Sequence, residues 1–257
     1  MTLSSSGNST GDAAALFIDL PFETGILGLK AGRLGEPRCP DGPPAAVNRA
    51  VAAAVGYAVD QGYQFLSCRV ADGRPWVAEA LESAGFRLVE CLLTLERPVA
   101  AVAGEPQSGI RLATPSDAEA VGRVAEACFV DDRYHADPRI DDRAADRLKR
   151  LWAENDCRQR GDVVFVAVDD SGRVVGFHAC LAPADAAVID LIGVLPEAQG
   201  RGVGRRLVAA ALNHYAGRRP VLRTGTQARN TGSLALYAAM GFRIVRSEFT
   251  FHWHSHP

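Results

Sequence analysis

No stretch of this sequence approaches the ~20 consecutive apolar residues that a membrane-spanning helix needs, although 47% of its 257 residues are hydrophobic. Charge of one sign is also missing. The chain carries 28 Lys and Arg against 30 Asp and Glu, a net charge of -2, so no global field draws it to nucleic acid or to an acidic membrane. Cysteine is sparse and scattered. Cys39, Cys68, Cys91, Cys128, Cys157 and Cys180 form no C-x-x-C pair, and several sit inside apolar strand patterns, where a reduced cysteine is a small core residue. The opening residues MTLSSSGNSTGD lack a charged-then-apolar leader, so a reducing cytoplasm is the expected compartment. His252, His254 and His256 cluster near the end, but no acidic or thiol residue keeps ligand spacing with them, and no metal is expected.

What is present is the composition of a globular chain long enough for two modest domains. Residues 1–12 are Ser- and Gly-rich and read as a disordered tail. Residues 13–98 read as a front α/β domain, with strands in AALFIDL and LGLKAGRL around FETGI, then a helical Ala/Val run, the strand YQFLSCRV, the helix RPWVAEALESAGF stopped at Gly85, and the strand RLVECLLTLE. Residues 99–108 lack periodicity, carry Gly and Pro, and read as a linker. From 109 to 257 the pattern restarts. A strand leads to a helix opened by Thr114-Pro115-Ser116-Asp117. A second helix, a hairpin around Asp-Ser-Gly, the strand AAVIDLIGVLP, a helix over 203–216, the strand PVLRTGT, the helix NTGSLALYAAM and one bent or two closing strands follow. An internal echo joins the halves. ESAGFRLVECLLTL matches AAMGFRIVRSEFTF, so that Gly85 falls on Gly241, Phe86 on Phe242 and Arg87 on Arg243, while Leu81 stands where the rear copy has Tyr237. A duplicated half-domain accounts for it.

The densest chemistry lies between Leu191 and Arg206. An apolar strand, Leu191-Ile192-Gly193-Val194, runs into the glycine-rich turn Gln199-Gly200-Arg201-Gly202-Val203-Gly204-Arg205, and an amphipathic helix follows at once. Free backbone N–H groups at a helix start, backed by its dipole, bind phosphate, and glycines let the main chain approach the oxygens. The ligand expected here carries a diphosphate. A P-loop would need Gly-Lys-Ser/Thr, and a dinucleotide turn would need a third glycine where Arg205 stands. Gln199, Gly202 and Gly204 satisfy Gln-x-x-Gly-x-Gly instead. A merely tight strand-to-helix turn would look similar.

Together with Asn230 opening the last helix and Tyr237 one turn before Gly241-Phe242, this turn resembles the acetyl-CoA-binding signature of the GNAT N-acetyltransferase superfamily. The resemblance implies an α/β (α+β) fold with a mixed, mostly antiparallel central sheet flanked by helices, and a smaller GNAT-like half-domain in front. It implies acetyl-CoA as co-substrate, held by residues 191–194, 199–205 and Asn230, and Tyr237 as general acid. Over its whole length the chain also resembles the TDP-fucosamine acetyltransferase family, through FETGILG, Arg133-Tyr134-His135-Ala136-Asp137-Pro138 followed by Trp152, and Thr226-Gln227-Ala228-Arg229-Asn230-Thr231. Ile26-Leu27-Gly28 departs from that family's Phe-Phe-Gly. This narrower likeness implies a nucleotide-linked amino sugar as acceptor, touched by Glu23, Arg133, Tyr134, His135, Asp137, Thr226 and Gln227, with the front domain supplying one wall of its cleft. Glu90, an acid between Leu88 and Leu92, and Asp190, on the strand entering the turn, compete as the base. No cysteine stands in a nucleophile setting, so direct attack of the amine on the thioester is expected. Other small amines, amino acids or protein N-termini as acceptors, or a non-catalytic acetyl-CoA-binding module, stay open, as does a homodimer.

Overall fold

A computed structural model describes residues 17–37, 44–101 and 108–255. Its elements, in chain order, are β1 (Phe17–Asp19), α1 (Pro21–Leu27), β2 (Ala31–Leu34), α2 (Pro44–Asp60), β3 (Phe65–Ala71), α3 (Pro75–Ser83), β4 (Arg87–Pro98), β5 (Ile110–Leu112), α4 (Ala118–Cys128), α5 (Asp142–Asn155), β6 (Val163–Val168), β7 (Val174–Leu181), β8 (Ala187–Val194), α6 (Val203–Tyr215), β9 (Val221–Gln227), α7 (Thr231–Ala239) and β10 (Arg243–His254). From 109 onward this is the order read from the sequence. The closing segment is a single strand.

Two compact units result, and their boundary is not where the sequence suggests. One comprises the chain up to Cys91 together with Glu248 onward; the other is Leu92–Ser247. The chain therefore changes unit inside β4 and again inside β10, not in a 99–108 linker. Strand pairing is the cause. Leu92 to Pro98 pair with Gln227 to Val221 of β9, whereas Glu248 to His254 pair with Ala71 to Phe65 of β3. Of the proposed linker, residues 102–107 lie outside the described residues, as do the proposed tail and the first residues of the front domain.

In the front unit β1 pairs antiparallel with β2, β2 parallel with β3, and β3 antiparallel with the end of β10. Val47, Val51, Val77, Leu81, Phe86, Phe251 and Trp253 fill its core. The FETGI stretch is not an interruption between strands but the helix α1. Pro21 opens it and Gly28, at φ 68°, closes it with its N–H on the Thr24 carbonyl at 3.1 Å. Thr24 Oγ1 then accepts the Ala31 N–H at 2.9 Å and sets the start of β2.

In the rear unit the strand order is β4-β9-β8-β7-β6-β5. All neighbours are antiparallel except β8 and β9. Alternation sorts the two faces: Val163, Phe165 and Ala167 pack with α6, and Val164 and Val166 pack with α4 and α5. Thr114 and Asp117 form the expected capping box ahead of α4, and Arg111 adds a bidentate pair to Asp117 at 2.8 Å. Among the described residues no helix is long and apolar enough to cross a membrane.

Candidate active site

The site begins with a break in the rear sheet. β8 and β9 pair only at Ala187 with Leu222, Val188 with Arg223 and Ile189 with Thr224, yet β8 runs on to Val194 and β9 to Gln227. On the other edge of β8 the register passes from Ile189, opposite Cys180, to Leu191, opposite Ala179. Asp190 is the extra residue of a β-bulge, which bends its strand and redirects side chains. Beyond it β8 stays with β7 while β9 stays with β4, and the two strands part. A cavity of about 600 Å3 opens there, lined by Ile189 to Val194 on one side and Thr224 to Gln227 on the other. The parted edge of β8 faces the cavity, and an open strand edge of this kind can pair with an extended chain.

One end of this cavity is the glycine-rich turn. Gly202 is the N-cap of α6 at φ 73°, a left-handed conformation that leaves no side-chain cap. The first bond inside the helix runs from the Arg206 N–H to the Gly202 carbonyl at 3.0 Å. The amides of Val203 and Gly204 come before it, with no carbonyl one turn back to receive them. Both residues line the cavity with Gln199, Gly200, Gly202 and Arg205. A Cβ at Gly204 would lie 3.2 Å from Leu236 Cδ2, so glycine there lets α6 approach α7. Gln199 fixes the turn by donating from Nε2 to the Val194 carbonyl at 2.9 Å. Arg201 is exposed and does not line the cavity; its carbonyl accepts from Arg206 Nη1 at 3.0 Å.

Tyr237 stands in the opposite wall. It is almost fully buried on α7, its ring tilted against Phe242 with centroids 5.3 Å apart. Thr224 Oγ1 donates to its hydroxyl at 3.1 Å. Burial pushes the phenol up to about 12, against the Thr224 hydrogen bond. The group is therefore neutral, with its own proton available to an acceptor in the cavity. Asn230 caps α7 by accepting the Ser233 N–H at 3.0 Å and also lines the cavity.

Asp190 lines the same cavity. Trp152 Nε1 donates to it at 2.9 Å and Arg160 Nη1 at 2.5 Å. Glu90 lies in the front unit, nearly buried, where Thr250 Oγ1 donates to it at 3.0 Å and Arg69 stands 3.9 Å away. Glu23 is buried on α1 of the same unit.

Thr226 and Gln227 line the cavity, but Arg133, Tyr134, His135 and Asp137 do not. Their polar groups bond to one another and to near neighbours. Arg133 donates to the Tyr134 hydroxyl at 2.5 Å. His135 bridges Asp132 at 2.8 Å and Asp146 at 3.1 Å. Asp137 takes Arg139 Nε at 2.9 Å. The Asp132 hydrogen bond leads in raising the His135 ring above the usual range, against burial. What this knot presents to the cavity is its neighbours, Asp131, Asp132 and Lys149, which the sequence reading passed over. Lys149 is buried with its Nζ 3.8 Å from Asp132 and within 5.6 Å of the ring centres of Phe129, Tyr134 and Trp152. The available signal was a lysine between Leu148 and Leu151, on the flank of a helix that buries those apolar residues. Cys128 also lines the cavity, and burial pushes its thiol up to about 11, which leaves it protonated and a poor nucleophile.

The model of the Acetyltransferase (GNAT) family matches residues 125–242. The spore coat polysaccharide biosynthesis protein SpsD of Bacillus subtilis (strain 168) is 30% identical over 139 residues, 54% of this chain and 48% of that protein. A mycothiol acetyltransferase of Mycolicibacterium vanbaalenii is 30% identical over 208 residues, 70% of this chain and 64% of that one. The chain thus spans between about half and two thirds of these relatives' lengths. The crystal structure of a GCN5-related N-acetyltransferase from Sphaerobacter thermophilus is similar with a TM-score of 0.68 at 17% identity, over 94% of this chain and 76% of that one. The fold is the GNAT fold.

Proposed function

We propose that this chain, which has the GNAT fold and matches the GNAT acetyltransferase family over residues 125–242, is an N-acetyltransferase that moves an acetyl group from acetyl-CoA to the primary amine of a nucleotide-linked amino-deoxy sugar. The observation that carries the transfer is the cavity where β8 and β9 part, with the amides of a helix start at one end and a neutral phenol in its wall. The amides around Gly202 to Gly204 hold the diphosphate. The free edge of β8 from Asp190 to Val194 pairs with the extended arm, and a backbone N–H there steadies the oxyanion of the tetrahedral intermediate. Tyr237 donates its proton towards the departing sulfur. Asp190, which lines the same cavity, receives a proton from the amine.

The sugar acceptor rests on the likeness over the whole chain, on a relative whose name places it in polysaccharide biosynthesis, and on the cavity's three carboxylates, Asp131, Asp132 and Asp190, which suit an ammonium. The longer match to a mycothiol acetyltransferase favours a different small amine as the second reading. Thiol release from acetyl-CoA, measured across TDP-amino sugars, free amino sugars, amino acids and peptides with free N-termini, tests both. Highest kcat/KM on a TDP-amino sugar is expected. Preference for any other amine overturns the acceptor and leaves the transfer, whereas release with none overturns the enzyme.

A further inference from the structure

Asp190 is not alone in the wall. α5 continues as a single π-turn, Asp156–Arg160, a feature that recurs at functional sites. Gly161 closes it, its N–H on the Asp156 carbonyl at 3.0 Å. A Cβ on Gly161 would lie 2.7 Å from that same oxygen, so only glycine permits the closure. The turn brings Arg160 back over Asp156. One guanidinium then serves two carboxylates: Arg160 Nη1 donates to Asp156 Oδ1 and to Asp190 Oδ2, and Nη2 reaches Asp190 Oδ1 at 3.3 Å. The Trp152 indole supplies a second donor to Asp190 only.

The charges do not balance. Both carboxylates are largely removed from water, with side-chain exposures of 0% and 14%, and they share the Arg160 guanidinium. Two negative charges, desolvated and sharing one guanidinium, favour binding a proton. Asp156 Oδ2 is buried with no donor among the described residues, and Arg160 Nη1 bonds its other oxygen and Asp190 Oδ2 alike. A proton on Asp156 satisfies both groups at once.

We propose that Asp156 and Asp190 act as one carboxylate pair on Arg160, and that Asp156 stores the proton which Asp190 takes from the acceptor amine at the cavity wall. The inference rests on the acetyl-transfer reading above. In the step, an N–H bond of the bound ammonium breaks and an O–H bond forms on the pair. The nitrogen keeps its electron pair and becomes neutral, and the pair goes from two negative charges to one. Asp156 does not line the cavity, so it is a positioning residue acting through Asp190. Burial leads in pushing the Asp156 carboxyl up to about 7, and the Asp190 charge adds to it against the pull of Arg160. The other groups acting here are Cys157 on the same turn and Cys180 on β7, with Asp162 and Tyr215 acting on Cys180, and Asp117, Arg111 and Arg158 on Cys157. Burial raises both thiols, so neither brings a charge near neutrality.

Carbon-13 NMR of aspartate side chains in the full chain, titrated without any ligand, tests the shared proton. One aspartate should titrate near 7 in the unmodified protein. Asp156→Asn should abolish that titration, and Asp190→Asn should lower it by about one unit or more. No aspartate titrating between about 6 and 8 overturns the pair. Rates with a TDP-amino sugar test its use. The acid limb of kcat/KM should move down by about one unit in Asp156→Asn, and kcat should drop roughly ten-fold, with KM for acetyl-CoA unchanged. A chain that acetylates no amine overturns the acetyl-transfer reading. A chain that acetylates with the wild-type pH profile intact in both variants overturns this one.

Discussion

The helix–glycine–strand turn occurs twice, and the two copies share a backbone but carry Leu81 in one and Tyr237 in the other at the same place. In the front copy α3 gives way at Ala84 (φ -89°, ψ 7°) and Gly85 (φ 92°) to β4; in the rear copy α7 gives way at Met240 (φ -89°, ψ 6°) and Gly241 (φ 80°) to β10. The Phe86 N–H meets the Leu81 carbonyl at 3.0 Å, and the Phe242 N–H meets the Tyr237 carbonyl at 2.9 Å. Both phenylalanines are buried. Leu81 and Tyr237 therefore hold the same local position. Leu81 is spent on an apolar core, while Tyr237 adds a hydroxyl in a cavity wall beside Thr224. The motif supplies a stiff corner, and the rear copy sets one further oxygen on it at the cavity.

The largest expected effect follows from that oxygen. Tyr237→Phe keeps the ring and the corner, and should cut turnover by ~10²–10⁴-fold with acetyl-CoA affinity, measured by calorimetry, little changed. Unchanged turnover would reduce the two corners to one structural device. Next, Leu81→Ala should cost about 2–5 kcal/mol of stability through cavity formation, read as a lowered urea midpoint. If it instead lowers kcat at full folding, the front corner is more than packing.

Much of this contrast was legible in the sequence, because helix stops and glycine-rich turns are written in neighbouring residues. Gly85, Gly241, the Gln199–Gly204 turn and the Thr114–Asp117 box all depend on contacts within a few positions. The bulge at Asp190 was not legible, since the strand reads apolar straight through AAVIDLIGV and only the register against β7 reveals the extra residue. Nor was the unit boundary, which depends on β4 and β10 finding partners far away in sequence. Arg133 to Asp137 looked like ligand-reading groups because charge and aromaticity say nothing about whether side chains bond each other first. FETGI was misread despite carrying its own signals, Pro21 at the start and Gly28 at the end.

The glycines sharpen the comparison further. Gly85→Ala and Gly241→Ala each force a side chain into the left-handed region, at a cost of roughly 1–2 kcal/mol. The nearest atoms to a new Cβ lie at 3.6 Å on Trp253 and 3.9 Å on Arg97, ordinary contact distances, so strain alone sets the cost and the two urea midpoints should fall by similar amounts. Only Gly241→Ala should also lower kcat, because the Phe242 N–H behind it anchors the Tyr237 carbonyl. Unequal stability losses would show that the two corners are not the same device.

The smallest effect concerns how the two helices begin. α7 is nine residues long and starts at Asn230, whose side chain takes the Ser233 N–H. α3 has the same length but starts at Arg74 with no side-chain cap; Pro75 at its first position removes one N–H that would need a partner. Asn230→Ala should cost about 1 kcal/mol, and Asn230→Asp, which keeps an acceptor at the cap, should recover most of it. Arg74→Ala gives up only a part-exposed pair with Glu36 at 3.3 Å and should cost less than about 0.5 kcal/mol. Paired urea titrations measure both. A larger loss at Arg74 than at Asn230 would mean that α7 is held by its packing, with the cap contributing nothing that distinguishes it from its front counterpart.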